Sequence, residues 1–299
     1  MHSETRVAPV SLAEIVELTD AGPGRYVAAG ADRSSGPRVY GGQLVAQALA
    51  AAGRTAPDGR VPHSLHGHFL HPGDPDAPIE YDVDALRDGR AQTVRQVLGK
   101  QGPHDVFALT VSFAPAAASG PVLEHQEATS PVPDFDAVES VEETLARADA
   151  GLGEWFTRRI APKPVEVRFV ERPARDYVLR GEAPPSRQQV LMRIREPLPD
   201  NPLAHACGLA YFSDMFLLST AVYPHRAVIG DRNLLVASLD HAIWFHGPVR
   251  ADEWLLYDME SDWAGQGRGL CRGRMFDATG RLIATIVQEG LVKPLSPRD

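Results

Sequence analysis

Two periodicities alternate along this chain, and they occur twice in the same order. After Tyr40-Gly41-Gly42-Gln43 runs LVAQALAAAG, an alanine-rich stretch whose composition favours helix and which Gly53 ends. Behind it, residues 64–70, 79–86, 91–98 and 105–114 read as strands, with turns at Asp88-Gly89 and Gly99-Lys100-Gln101-Gly102. The stretch before Arg38 predicts a short helix at 12–18, a strand at 26–28 and a polar loop. From about Pro115 to Pro164 proline, alanine and acids dominate, which predicts a linker with one helix at 138–150. Strand patterns return at 165–170 and 188–195. Next comes ACGLAYFSDMFLLSTAVYP, residues 206–224, apolar on nearly every side and carrying a single charge, Asp214. It predicts one buried helix, too short and interrupted to span a bilayer. Strands are expected at 234–245, 254–260, 269–276 and 281–292.

The second helix-then-meander unit repeats the first. An ungapped shift of 176 positions pairs Phe69 with Phe245, Pro72 with Pro248, Asp76 with Asp252 and Tyr81 with Tyr257. It also pairs Asp82 with Asp258, Gly89 with Gly265, Ala108 with Ala284 and Val111 with Val287. That is 8 identities over 43 positions, where chance gives about 3. Each half is expected to wrap an antiparallel sheet around one long helix, so that one chain forms a pseudo-dimer. The boundaries are 1–118 for the first repeat, 119–160 for the linker and 161–299 for the second repeat.

Composition narrows the function. A net charge of -9 without a basic tract argues against a general nucleic-acid binder. Cys207 and Cys271 form no CxxC pair and suit a reducing interior. No signal peptide or C-terminal peroxisomal address is visible, so a cytoplasmic protein is expected.

Three polar residues stand in apolar surroundings in the second half: Asp214, Ser238 and Gln288. Burying an ionised carboxylate costs several kcal/mol unless donors hold it, a situation that suits a general base as well as a structural brace. Gln288 shares a strand face with Leu282, Ala284 and Ile286, and a buried amide needs partners. Its repeat equivalent is Ser112, so only the second half is equipped for chemistry.

GGQLVAQAL, HSLHGHFLHPG, YDVDALRDGR, the YFSD around Asp214, SLDHAIWFH, EWLLYDMES and TIVQEGLVK together resemble the acyl-CoA thioesterase II family, over about residues 40–293. The resemblance implies an α+β double-hotdog fold and hydrolysis of fatty acyl-CoA. The family's catalytic Asp, hydroxyl residue and Gln map onto Asp214, Ser238 and Gln288; the hydroxyl is Thr in some relatives and Ser in others. Such residues can hold a water that attacks the thioester carbonyl, with Asp214 accepting its proton. Direct attack by Asp214 through an anhydride is the variant. Backbone N–H groups of Gly42 and Gln43 at the helix start are candidate donors to the oxyanion, the alternative being glycines that merely turn the chain into the helix. No metal or other cofactor is expected, coenzyme A being part of the substrate, and a homo-oligomer is expected. A hotdog enoyl-CoA hydratase and a catalytically silent acyl-CoA-binding protein are the rival readings.

Other constellations carry less. His66 and His68 share a strand face but lack a third ligand at supporting spacing. Ser238, Asp240 and His241 suggest a triad, yet on a continuous strand His241 faces away from Ser238. Gly265-Gln266-Gly267-Arg268-Gly269 precedes no helix, so it reads poorly as a phosphate loop. Arg272 and Arg274 share a face and could meet a coenzyme phosphate or form a solvated edge. Asp200-Asn201-Pro202-Leu203-Ala204-His205 approximates a hydratase motif with the wrong spacing, and reads as a loop leading into the buried helix.

Overall fold

The structure, a computed structural model, describes residues 10–28, 36–116, 123–126 and 132–295. The first unit comprises α1 (Leu12–Ile15), β1 (Thr19–Gly22), β2 (Arg25–Ala28), α2 (Gly41–Thr55), β3 (Arg60–Phe69), β4 (Ile79–Asp88), β5 (Thr93–Gln101) and β6 (His104–Pro115). Helices α3 (Val141–Arg147) and α4 (Ala150–Arg159) follow. The second unit holds β7 (Val165–Phe169), α5 (Ala174–Leu179), β8 (Arg187–Ile194) and α6 (Pro202–Ser213). It continues with β9 (Leu234–Ser238), β10 (Asp240–Phe245), β11 (Leu255–Gly265), β12 (Arg268–Phe276) and β13 (Leu282–Pro294). The polar loop expected before residue 36, and residues 119–122 and 127–131 of the expected linker, lie outside the described residues.

All these strands join one antiparallel sheet in the order β1-β2-β4-β5-β6-β3-β10-β13-β12-β11-β8-β7, with β9 paired to β13. Under the 176-residue offset β3, β4, β5 and β6 correspond to β10, β11, β12 and β13, so the strand order reads alike from either edge. The halves meet where β3 pairs with β10, Leu65 opposite Ile243 and His68 opposite Asp240. Both long helices lie on one side of the sheet: α2 packs on β4, β5 and β6, and against α6. This is the α+β double hotdog that the repeat and the resemblance imply.

The α2–α6 contact is close because small residues stand on it. A Cβ at Gly42 would come 2.1 Å from the Tyr211 carbonyl oxygen, and one at Gly53 would come 2.3 Å from a Leu203 methyl. The interior is continuous through both halves, from Leu49, Tyr81 and Phe107 to Tyr211, Phe212, Tyr257 and Ile286. Such close packing leaves no room for volume changes.

Three expectations need correction. The single buried helix at 206–224 is interrupted: α6 ends at Ser213, and short 3-10 turns follow at 217–221 and 223–225. The break comes at Phe216, whose φ of 67° is left-handed, a cost offset where its ring packs against Trp155 and Phe169. A segment apolar on every side carries no periodic signal to mark where its helix stops. The expected helix at 138–150 is two helices, because Asp149 caps α4 by accepting from the Gly151 N–H at 2.8 Å. The expected strand at 234–245 divides at Leu239.

At the seam between the halves, a Cβ on Gly67 would lie 2.5 Å from the Phe107 ring. Gly67→Ala should therefore destabilise the fold by about 1–3 kcal/mol through overpacking, read as a lower urea midpoint. An unchanged midpoint would show that the seam has slack.

Candidate active site

Asp214 is the C-cap of α6, so its side chain leaves the helix at its end rather than from within it. One carboxylate oxygen, Oδ1, accepts from Gln288 Nε2 at 2.6 Å. The other, Oδ2, accepts from the Gly42 backbone N–H at 3.1 Å, at the first turn of α2. Glycine is needed twice here: a Cβ on Gly41 would stand 2.7 Å from Oδ2, and Gly42 already abuts Tyr211. Tyr40 fixes the approach by donating its hydroxyl to the Tyr211 carbonyl at 2.9 Å. The positive end of α2 thus faces a carboxylate supplied by the other half of the chain.

Gln288 is fully buried on the inward face of β13, as its apolar row predicts. Its amide nitrogen donates both to Asp214 and, at 2.8 Å, to Ser238 Oγ. Because a carboxylate only accepts, the nitrogen must be the atom facing Asp214, which fixes the orientation of the amide. Its carbonyl oxygen is then buried without a hydrogen-bond partner. The hydroxyl of Ser238 accepts from Gln288 and retains its own proton to donate. The three residues singled out from the sequence therefore form one connected group.

Gln43 behaves differently from Gly42. Its N–H closes the first turn of α2 onto the Tyr40 carbonyl at 3.1 Å, and its side chain is buried. Of the two expected oxyanion donors, only Gly42 presents its N–H to the site.

His241 requires another correction. Opposite β13, Ser238 pairs with Gly290 whereas Ala242 pairs with Val287, so the chain gains one residue at Leu239. This bulge reverses the alternation and turns His241 inward, onto the same face as Ser238. No Ser-His-Asp triad results. His241 Nε2 lies 2.7 Å from Ser213 Oγ, and Asp240 accepts from the Glu289 N–H. Ser213 Oγ donates to the Ala210 carbonyl, so it accepts from His241, and Nδ1 is left as a buried, unpaired acceptor. Tyr257 adds a 2.6 Å bond to the Ser213 carbonyl. These residues brace the residue before Asp214. Sequence spacing missed His241 because a bulge leaves no mark in an apolar–polar pattern.

The other constellations have structural explanations. His66 and His68 are exposed on the outer face, His66 edge-on to Trp244. Gln266 and Gly267 both have positive φ and make the tight β11–β12 turn. Arg272 pairs with Glu260, and Arg274 with Asp258. Asn201 caps α6 through Leu203, with Pro202 at its first turn. The repeat equivalent of Gln288 needs correction from Ser112 to Val111: Arg95 pairs with Val111 where Cys271, 176 positions on, pairs with Gln288. Ser112 therefore falls on the other face, bonded to Gln92, while buried Arg95 is bonded to Thr55 and Asp88.

Comparison with known proteins shows the family. Residues 162–291 match the family described as acyl-CoA thioesterase, and residues 31–122 match its N-terminal domain. The chain is 37% identical over 262 residues to acyl-CoA thioesterase 2 of Haemophilus influenzae, covering 86% of this chain and 88% of that one. It is similar to the crystal structure of an acyl-CoA thioesterase II from Mycobacterium marinum, with 36% identity, a TM-score of 0.75 and coverage of 96% and 99%. A hot dog protein of unknown function from Alicyclobacillus acidocaldarius shares the fold at 20% identity, a TM-score of 0.73 and coverage of 95% and 98%.

Burial lowers the pKa of His241 below the ordinary 6.5, against the pull of Asp214 and Asp240. It does the same to His205, against Asp252 3.5 Å away. Both imidazoles bind a proton less readily folded than unfolded, so the unfolded chain takes up more protons as pH falls below about 6.5. Stability should therefore decline from pH 7.5 to 5.5, read as a falling urea midpoint. A constant midpoint would mean that the imidazoles accept protons in place.

Proposed function

Because the chain belongs to the acyl-CoA thioesterase family, and so hydrolyses acyl-CoA thioesters, we propose that Asp214 is the general base, with Gln288 and Ser238 positioning the attacking water. The observation that carries this reading is the amide of Gln288. Its nitrogen is committed to Asp214 and Ser238, while its buried carbonyl oxygen keeps an unmet demand for a donor. A water molecule that donates to Gln288 Oε1 and to Asp214, and accepts the Ser238 proton, would answer all three groups and hold its lone pair toward the thioester carbonyl.

Proton transfer to Asp214 accompanies attack. Neutralising the carboxylate weakens its bond to the Gly42 N–H, and this donor at the start of α2 turns to the oxyanion as that charge forms. The thiolate of coenzyme A is a good leaving group, so a dedicated general acid is less necessary. Direct attack by Asp214 is disfavoured because each of its oxygens is already held by a donor.

Asp214→Asn should lower turnover by roughly 10²–10⁴-fold, with circular dichroism unchanged; wild-type-like thiol release would remove Asp214 from the reaction. Single turnover in ¹⁸O-water should place the label in the fatty acid and leave the Asp214 carboxylate unlabelled. Label in Asp214 would establish the anhydride route instead.

A further inference from the structure

Most arginines near the second-half surface are already committed to carboxylates. Arg172 is held by Asp176 at 2.6 Å and Glu182 at 2.7 Å, and Arg180 by Asp176 at 3.0 Å. Arg187 and Arg274 share Asp258, and Arg272 takes Glu260. Such pairs leave little field for an anionic ligand.

Arg175, on α5, is different. Its guanidinium lies 4.8 Å from the centre of the Trp155 ring on α4. Among the described residues its one hydrogen bond is from Nη1 to the Ile229 carbonyl at 3.3 Å, and its Nε is buried without an acceptor. The charged or titratable groups that bear on it are Tyr223 and a second cation, Arg159; burial is the larger influence and works against its charge. No carboxylate among the described residues forms an ion pair with it. A half-buried cation with no counter-ion among the described residues is a place that favours an anion.

Its position relative to Asp214 matters. The Trp155 ring lies 6.2 Å from that of Phe216, and Phe216 follows Asp214 by two residues. Through Trp155, Arg175 packs toward the segment of chain that carries Asp214, where a remote part of the same substrate could meet it. With Nη1 on the Ile229 carbonyl and the guanidinium against the Trp155 ring, Nη2 makes no hydrogen bond among the described residues and is the donor offered to an oxyanion, the group that arginine grips in phosphate.

We propose that Arg175, on its Trp155 platform, binds a phosphate group of the coenzyme A portion of the substrate. The proposal rests on the acyl-CoA reading above and adds an anchor remote from the chemistry. Binding energy of this kind acts on substrate capture rather than on the chemical step.

The test compares an acyl-CoA with the same acyl group on N-acetylcysteamine, which carries no phosphate. Arg175→Gln should raise KM for acyl-CoA about tenfold, the worth of one charge-assisted hydrogen bond, with kcat and the phosphate-free substrate unchanged. Arg175→Lys should recover part of the loss, and calorimetric binding of free coenzyme A should weaken in parallel in Arg175→Gln. An unchanged KM for acyl-CoA, or an equal shift on both substrates, overturns the proposal while thiol release by the wild type leaves the hydrolase reading standing. Failure of the wild type to release thiol from either substrate would overturn both.

Discussion

A carboxylate withdrawn from water has to be held from more than one side, and Asp214 is held from both halves of the chain. Gly42 reaches one oxygen from the start of α2, and Gln288 reaches the other from β13. That bridge sets strict terms for the rest of the structure. Helix α2 must come close enough to α6 for a backbone N–H to serve, which two glycines and the Tyr40–Tyr211 bond make possible. The central β3–β10 pairing must also keep both helices on one side of the sheet.

The duplication supplies this arrangement once and withholds it once. Where the second half places Gln288, the first half places Val111, and the buried arginine Arg95 fills the neighbouring space with bonds to Thr55 and Asp88. One face of the pseudo-dimer is therefore spent on packing and the other on a polar group. The division is asymmetric in a further sense, because the second-half group borrows its backbone donor from the first half. Neither repeat contains the whole of it.

The end of α6 explains how Asp214 is presented. Ending at Ser213, with His241 and Tyr257 bonded to that residue, the chain sends Asp214 outward toward β13. The left-handed Phe216 then turns the chain toward Trp155 and Phe169. The same irregular stretch thus carries Asp214 and points to the aromatic wall that leads to Arg175.

Much of this was legible in the residues themselves. Period-two strands, an alanine-rich helix and the 176-residue repeat determined the two-unit α+β fold, because burial on one face imposes a period that sequence records directly. Asp214, Ser238 and Gln288 stood out because polar groups in apolar runs are costly and so seldom incidental. Only the tertiary structure decided where α6 stops, since a run apolar on all sides carries no phase. It alone decided that His241 faces inward, since the bulge at Leu239 reverses a parity that sequence presents as continuous. And it alone brought Gly42 to Asp214, 172 positions away, because contacts between distant elements depend on how helices pack, and packing is written in shapes rather than in periods.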